Sequence, residues 1–415
     1  MKDKRILYVA TFNPFIAGGG SQATRAYLDA TIDIFGAEKV DVLINKNTVV
    51  LEQYAQVRFI EVPDRAGWKS KLYFLRGVLG SHAMPAVEYL KNHSTEYGWC
   101  IFNGGREAGW CYKRIKHLNI RKVTIHHNEE VEYCMDNNSI YTLGKLWPYT
   151  VRHEERNAYK YSDFNLFLTS QDMATFRKMF GETCGKNALL GTFDYRDREK
   201  ESLTIENKDF DITISGSLKN YQTTVGVMDF RDRYLNIAKK MIPGLRVLLT
   251  GREPSQQILD MQQADDETFS IVANPEKILP VVQRGRIYLC PTCIGGGLKL
   301  RAMDGLKSGM PVLVHEVSSR GYDYFYDKPY FRIYRDELTF EKGLSDLLDF
   351  EKKFIVNDKT INMSEMINHD YYAYFGYEKG VERLRRALWG GVILFRQYFY
   401  LFNGYQPCQE RRLAA

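Results

Sequence analysis

The feature that most constrains this chain is a rhythm of short apolar runs, each strand-length, separated by stretches with helical periodicity. The runs "RILYVAT" (Arg5–Thr11), "KVDVLIN" (Lys39–Asn45), "VRFIEVP" (Val57–Pro63), "WCIFNGG" (Trp99–Gly105), "RKVTIHHN" (Arg121–Asn128) and "DFNLFLTS" (Asp163–Ser170) form a first series. A helix is expected from Ser21 to Phe35, and another starts at Ser170, whose hydroxyl can cap it. From Leu189 the text "LLGTFDYRDREKESLTIENKDFD" is charged and short of periodic apolar residues, as a linker or interdomain surface would be. A second series then begins with "ITISGSL" (Ile212–Leu218), a helix over Asp229–Met241, and "LRVLLTG" (Leu245–Gly251). It continues with "FSIVAN" (Phe269–Asn274), "RIYLCPT" (Arg286–Thr292) and "MPVLVHE" (Met310–Glu316). Strands alternating with helices make parallel, doubly wound sheets. Two such series predict two Rossmann-like α/β domains facing a cleft, over residues 1–190 and 191–370, with a helical segment 371–415 returning to the first. In such sheets ligands sit outside the carboxyl ends of the strands.

A length of 415 residues fits two domains, and 28 Tyr with 23 Phe suit large packed cores. The net charge of +6 is mild for this length and permits anionic partners such as nucleotide phosphates or acidic lipid headgroups. No basic run with interleaved aromatics resembles a nucleic-acid-binding module, so no nucleic-acid partner is expected. The apolar stretch Ile6–Ala10 is too short for a signal-peptide core, and seven scattered cysteines suggest reduced thiols in a cytoplasmic chain. Cys290 and Cys293 form a C-x-x-C with no second pair at zinc spacing, which reads as a strand end. The segment Tyr371–Phe402 has a helical pattern, and its apolar part Trp389–Phe395 is too short to span a bilayer before Arg396 interrupts it.

Two glycine triplets stand where strands give way to helices. "CIGGGLKLRAMDG" (Cys293–Gly305) follows a strand and enters a helix expected from Leu298 to Ser308, with Gly309 and Pro311 as its stop signals. A glycine loop feeding a helix N-terminus offers backbone N–H groups and the positive end of the helix dipole to a diphosphate. Lys299 and Arg301 in the first turn oppose that dipole, so they are better placed to neutralise a bound anion than to stabilise the helix. Asp304 can accept hydrogen bonds from ribose hydroxyls. The earlier triplet, Gly18–Gly20, lacks G-x-G-x-x-G spacing; it serves either a plain turn or a cleft wall.

The order strand, "P-T-x-x-G-G-G-L-K", helix with an acid, then "S-G-M-P-V-L-V" resembles the nucleotide-sugar site of GT-B glycosyltransferases, in particular retaining glycosyltransferase family 4. "ISGSL" resembles the first strand and turn of that family's donor domain, and "VTIHHNEEVEY" its histidine-bearing acceptor loop. "YSDFNLFLTSQDMATFRKMFG" resembles a late strand and helix of the acceptor domain. The resemblance implies transfer of a sugar from a UDP- or GDP-sugar to a glycan or lipid-linked acceptor, with retention and no essential metal. It implies His127 near the reacting sugar, with His126 as its competitor for that role, and Lys299 and Asp304 beside the donor. Donor contacts would come from Gly19, Gly20, Gly216, Lys219, Gly295, Gly296, Gly297, Leu298 and Arg301. Glu129 and Glu130 would meet acceptor hydroxyls or be ordinary surface acids. Many family members carry two glutamates with seven residues between them; Asp304 matches the second, and the first falls on Gly296.

Two further features concern the surface. "RAGWKSKLYFLRG" (Arg65–Gly77) interleaves basic and aromatic residues, and Arg383, Arg385 and Arg386 lie beside apolar text. They motivate peripheral contact with the cytoplasmic face of an inner membrane, or form solvated helix faces. Three other functions fit the same architecture: a nucleotide-sugar epimerase, a catalytically inactive subunit that binds nucleotide or a partner, and a Rossmann oxidoreductase. Neither triplet has the dinucleotide fingerprint the oxidoreductase requires.

Overall fold

The computed structural model describes residues 4–16, 18–63, 73, 77–132, 146–196, 208–355 and 360–389. Its first sheet contains β1 (Arg5–Ala10), β2 (Val40–Asn45), β3 (Arg58–Val62), β4 (Tyr97–Asn103), β5 (Arg121–His126), β6 (Phe164–Phe167) and β7 (Lys186–Leu189). The strands are parallel in the order β3-β2-β1-β4-β5-β6-β7. Between them run α1 (Gly19–Phe35), α2 (Ala83–Asn92), α3 (Gly105–Arg114), α4 (Leu146–Tyr161) and α5 (Ser170–Phe180). Helices cover both faces of a parallel sheet, so central strands read as continuous apolar runs; Ile6 to Val9 are all fully buried.

The second sheet is also parallel, in the order β10-β9-β8-β11-β12-β13. Its strands are β8 (Phe210–Ser217), β9 (Val247–Arg252), β10 (Phe269–Ala273), β11 (Gly285–Cys290), β12 (Val312–His315) and β13 (Phe331–Tyr334). The accompanying helices are α6 (Tyr221–Asp229), α7 (Leu235–Met241), α8 (Gln256–Ala264), α9 (Ile278–Val282), α10 (Arg301–Lys307) and α11 (Glu337–Ile355). Two Rossmann-like sheets are thus present, as the alternation requires.

Several local expectations are corrected. Helix α1 begins at Gly19, so two glycines of the first triplet lie inside its first turn. Thr169, not Ser170, caps α5: its hydroxyl accepts the N–H of Asp172. The helix expected from Asp229 starts at Tyr221 and passes through a π-turn, Phe230–Tyr234, into α7. Asn220 caps it, accepting the N–H of Gln222. Helix α10 starts at Arg301, three residues later than expected, so Lys299 lies in the loop and not in the first turn. Of the two readings of the segment after Leu189, its start takes the interdomain one and not that of a solvated linker: Leu190, Thr192, Phe193 and Asp194 are buried.

At the C-terminal end α12 (Thr360–Phe375) packs Met363, Ile367, Tyr371 and Phe375 into a core of the second domain. The helix is interrupted at Gly376, and α13 (Tyr377–Trp389) carries Val381, Leu384 and Leu388 into the core of the first. The Trp389 ring lies tilted, 5.0 Å from that of Phe35 and 6.1 Å from that of Trp99. This helix is the crossover. Arg383 is not a solvated or lipid-facing cation: it donates to the carbonyls of Leu190, Thr192 and Tyr374 and so clamps the crossover to the interdomain segment. Arg386 pairs with Glu382. Most of Arg65–Gly77, and everything beyond Trp389, lies outside the described residues. Among those described, no helix is long and apolar enough to cross a membrane.

Candidate active site in the cleft

In each sheet the strand order reverses once, between β1 and β4 in the first and between β8 and β11 in the second. At such a point neighbouring loops leave in opposite directions and open a crevice at the carboxyl ends of the strands. The first glycine triplet follows β1, and the second follows β11. The triplets thus flank their switch points from opposite sides, since β8, not β11, is the counterpart of β1; sequence alone could not show that both loops open at a switch point. They also face each other: a Cβ built at Gly19 would lie 3.0 Å from Leu300 Cδ1.

Donor-side residues converge on the loop after β11. Lys299 is buried and turns back on that loop, donating to the Gly296 carbonyl at 2.9 Å and to Gln222 Oε1 at 3.2 Å. Arg301 donates from Nη1 to Thr292 Oγ1 at 3.0 Å. Its guanidinium lies across the end of β8, where a Cβ at Gly216 would come within 2.6 Å of Arg301 Nε. Gly216 also has φ +139°, so both space and backbone demand glycine there. Asp304 Oδ2 accepts from Ser215 Oγ at 3.0 Å, and Ser215 Oγ is 2.7 Å from Tyr288 OH. The carboxylate is therefore held against the end of β8. Leu298 packs against Gly321, where a Cβ would lie 2.6 Å from Leu298 Cδ1. Lys219 is placed differently from expectation: its largely exposed side chain pairs with Glu253 at 2.9 Å.

From the first domain comes the segment after β5. A Cβ at Gly297 would lie 3.2 Å from the His127 carbonyl oxygen and 2.7 Å from Asn128 Cβ, so this segment touches the glycine loop directly. His127 packs between the rings of Phe12, at 5.9 Å, and Tyr27, at 6.0 Å. Loss of water in that setting pulls its pKa down to about 4. Its Nε2 faces Asn103 Oδ1, an acceptor, so Nε2 carries the proton and Nδ1 is left as an acceptor. Asn103 Nδ2 in turn donates to Thr24 Oγ1, which donates to the Gly20 carbonyl at 2.7 Å. One hydrogen-bonded chain therefore links His127 to the first triplet.

The neighbouring residues behave otherwise. His126 points to the other side of β5 and is buried; it stacks on Phe167 at 4.8 Å and bonds Asn165 Oδ1 through Nε2 at 3.0 Å. It is a core histidine, whereas His127 stands where its backbone meets the glycine loop. Glu129 is buried and turned back on its own chain, accepting the N–H of Glu132. Glu130 lies 3.8 Å from Arg106, and its N–H donates to Glu155 Oε1 at 2.8 Å. Burial raises the pKa of both acids.

Three residues at this loop escaped the sequence reading: Gln222, Glu132 and Arg320. Gln222 was hidden because the helix was expected only from Asp229, eight residues after its actual start at Tyr221. Glu132 lies in the "HHNEEVEY" run already singled out, two residues beyond the acids chosen from it. Arg320 carries no local signal at all. Among the described residues, no group of His, Cys, Asp and Glu is arranged to hold a metal ion.

No family model matches this sequence, and no curated protein matches it by sequence. Solved structures do match its fold. Sucrose-phosphate synthase of Thermosynechococcus elongatus superposes with a TM-score of 0.64 at 13% identity, covering 96% of this chain and 100% of the other. The lipopolysaccharide outer core galactosyltransferase WaaB, in its apo form, gives 0.63 at 11% identity over 94% and 100% of the two chains. Anabaena HepE, solved with UDP and glucose, gives 0.63 at 10% identity over 94% and 100%. The chain has the GT-B fold. Within that fold, the β11–α10 loop of the second domain and the segment after β5 of the first meet directly.

Proposed function

We propose that the chain is a glycosyltransferase that moves a sugar, with retention, from a UDP- or GDP-sugar to a glycan or lipid-linked acceptor. One observation carries the reading. At the switch point of the second sheet, a glycine loop carries Lys299, Arg301 and Asp304, and the backbone of His127 and Asn128 abuts that loop from the first domain. Lys299 and Arg301 supply the positive charge a diphosphate needs, and Asp304 takes the ribose hydroxyls. A site of this kind works by orientation and by stabilising charge on the departing group. The acceptor hydroxyl attacks the anomeric carbon as its bond to the β-phosphate oxygen breaks. That oxygen takes the acceptor's proton, and the lysine and arginine hold the resulting charge. With its pKa near 4, His127 is neutral at working pH and acts as a hydrogen-bonding group on the sugar.

WaaB acts on lipopolysaccharide outer core and HepE was solved with UDP and glucose; they support a uridine donor and a role in bacterial surface polysaccharide or glycoconjugate synthesis. A lipid-linked acceptor would bring the enzyme to the cytoplasmic face of the membrane. Lys299→Ala and Asp304→Ala test the assignment: each is expected to lower donor turnover by about 10²-fold or more. Turnover unchanged in both variants would refute the site. The lack of an acid at Gly296 favours a second reading, an inactive subunit; binding of a donor with neither transfer nor hydrolysis would select it.

A further inference from the structure

No side chain projects from position 296, yet the space beside it holds a carboxylate from the other domain. A Cβ built at Gly296 would lie 2.7 Å from Glu132 Oε2, 3.1 Å from its Cδ and 3.4 Å from its Cγ. The whole side chain of Glu132 therefore lies along the loop. Arg320, in the second domain after β12, fixes it there: Nη1 donates to Oε1 at 3.0 Å and to Oε2 at 3.1 Å. A carboxylate has about four acceptor positions, so this contact leaves acceptor capacity on both oxygens.

Two amide groups beside the same loop have the opposite deficit. Gln222 is 6% exposed, and its Nε2, which finds no hydrogen-bond acceptor, would lie 2.3 Å from a Cβ at Gly295. Asn128 Nδ2 is also buried without an acceptor, on the residue that abuts Gly297. Buried polar groups left unpaired are costly, and such groups around a loop mark a place where a ligand completes them. The ligand must donate to a carboxylate and accept from amides within a few ångströms. A phosphate fails, because it is an acceptor only and is repelled by Glu132. A sugar ring with adjacent hydroxyls meets both demands.

We propose that Glu132 accepts hydrogen bonds from hydroxyls of the donor's sugar, and so decides which sugars the enzyme accepts, with Arg320 as its positioning residue. The proposal rests on the donor-site reading above. Because Glu132 and Arg320 belong to opposite domains, the sugar is read by a carboxylate of the first domain held in place by a guanidinium of the second.

Isothermal titration of the full chain tests this with UDP, GDP and ADP, and with UDP-glucose, GDP-mannose and ADP-glucose. In the base class that binds, Glu132→Gln is expected to weaken the nucleotide sugar by about 10- to 100-fold, the scale of a charge-assisted hydrogen bond, with the bare diphosphate within about two-fold of wild type. Arg320→Met should copy this pattern and Arg320→Lys should recover part of the loss, because a positive charge remains but the planar fork does not. Unfolding midpoints of all variants, recorded alongside, confirm the fold. Equal weakening of sugar and bare diphosphate would overturn the proposal, because the ion pair would then serve only to close the cleft. Unchanged sugar affinity in Glu132→Gln would overturn it as well. A wild-type chain that binds none of the bare diphosphates would refute the donor site itself, and this inference with it.

Discussion

The helix that carries Arg301 and Asp304 is anchored by a buried charge. Lys307, in its last turn, places Nζ 3.3 Å from Asp194 Oδ2, with side-chain exposures of 2% and 4%. Tyr371 donates its hydroxyl to the same oxygen at 3.1 Å, and Asn368 Nδ2 donates to the Lys307 carbonyl at 2.6 Å. The pair ties α10 to the interdomain segment and to α12. At this separation the attraction is about 5 kcal/mol for an effective dielectric near 20, and the desolvation of two ions offsets much of it. Removing one partner forfeits the attraction but keeps the other ion's desolvation penalty, so Lys307→Met is expected to cost about 3–5 kcal/mol. Asp194→Leu should cost a similar amount, while the double variant should recover most of the loss, since two apolar side chains leave no unpaired charge. Urea unfolding of the four proteins gives the cycle directly. In the single variants α10 loses its anchor, so donor affinity should fall with stability. Single variants within about 1 kcal/mol of wild type, or a double variant as unstable as the sum of the singles, would refute the reasoning.

Two further predictions follow from burial. His127→Ala should lower turnover by about 10²-fold at a cost of about 1 kcal/mol from its lost bond to Asn103, whereas His126→Ala should cost about 2–4 kcal/mol by emptying the space against Phe167 and Phe176. Kinetics and thermal unfolding of the two variants separate these outcomes, and the reverse pattern would exchange their roles. Glu154 is 3% exposed, its Oε2 has no hydrogen-bond donor, and burial raises its pKa to about 7. A raised carboxyl pKa favours the folded state below the unfolded value near 4.5, and that contribution is lost as pH rises toward 7. Wild type should therefore lose about 1–3 kcal/mol relative to Glu154→Gln between pH 5 and pH 8, read from urea midpoints at both pH values. A difference independent of pH would show that Glu154 does not titrate in this window.

The fold was legible because buried parallel strands need unbroken apolar runs, and this chain supplies them at regular spacing. The strands that escaped, β7 and β13, are four residues each at sheet edges. With one neighbour they need less apolar text, and "KNAL" and "FRIY" are too short to signal a strand. Helix starts were misplaced for a related reason: Asn220 caps α6 inside a stretch whose glycine and polar residues read as a turn. The second glycine loop was found because its residues are contiguous. Glu132, Gln222 and Arg320 meet that loop from three distant parts of the chain, with Glu132 and Arg320 188 positions apart, and periodicity cannot report such a meeting. Lys219 was chosen for its place after β8, but its charge is matched by Glu253 at the end of β9, a register that only the sheet reveals.

The most direct test of the central claim is a thermal-shift screen of the full chain against UDP-, GDP- and ADP-sugars. A ligand bound at a hundred times its Kd adds about 2.7 kcal/mol to the folded state, which raises the unfolding midpoint by several degrees. The account predicts such a rise with one base class, lost in Lys299→Ala and Asp304→Ala. No rise with any nucleotide sugar, or a rise that survives both substitutions, would contradict it.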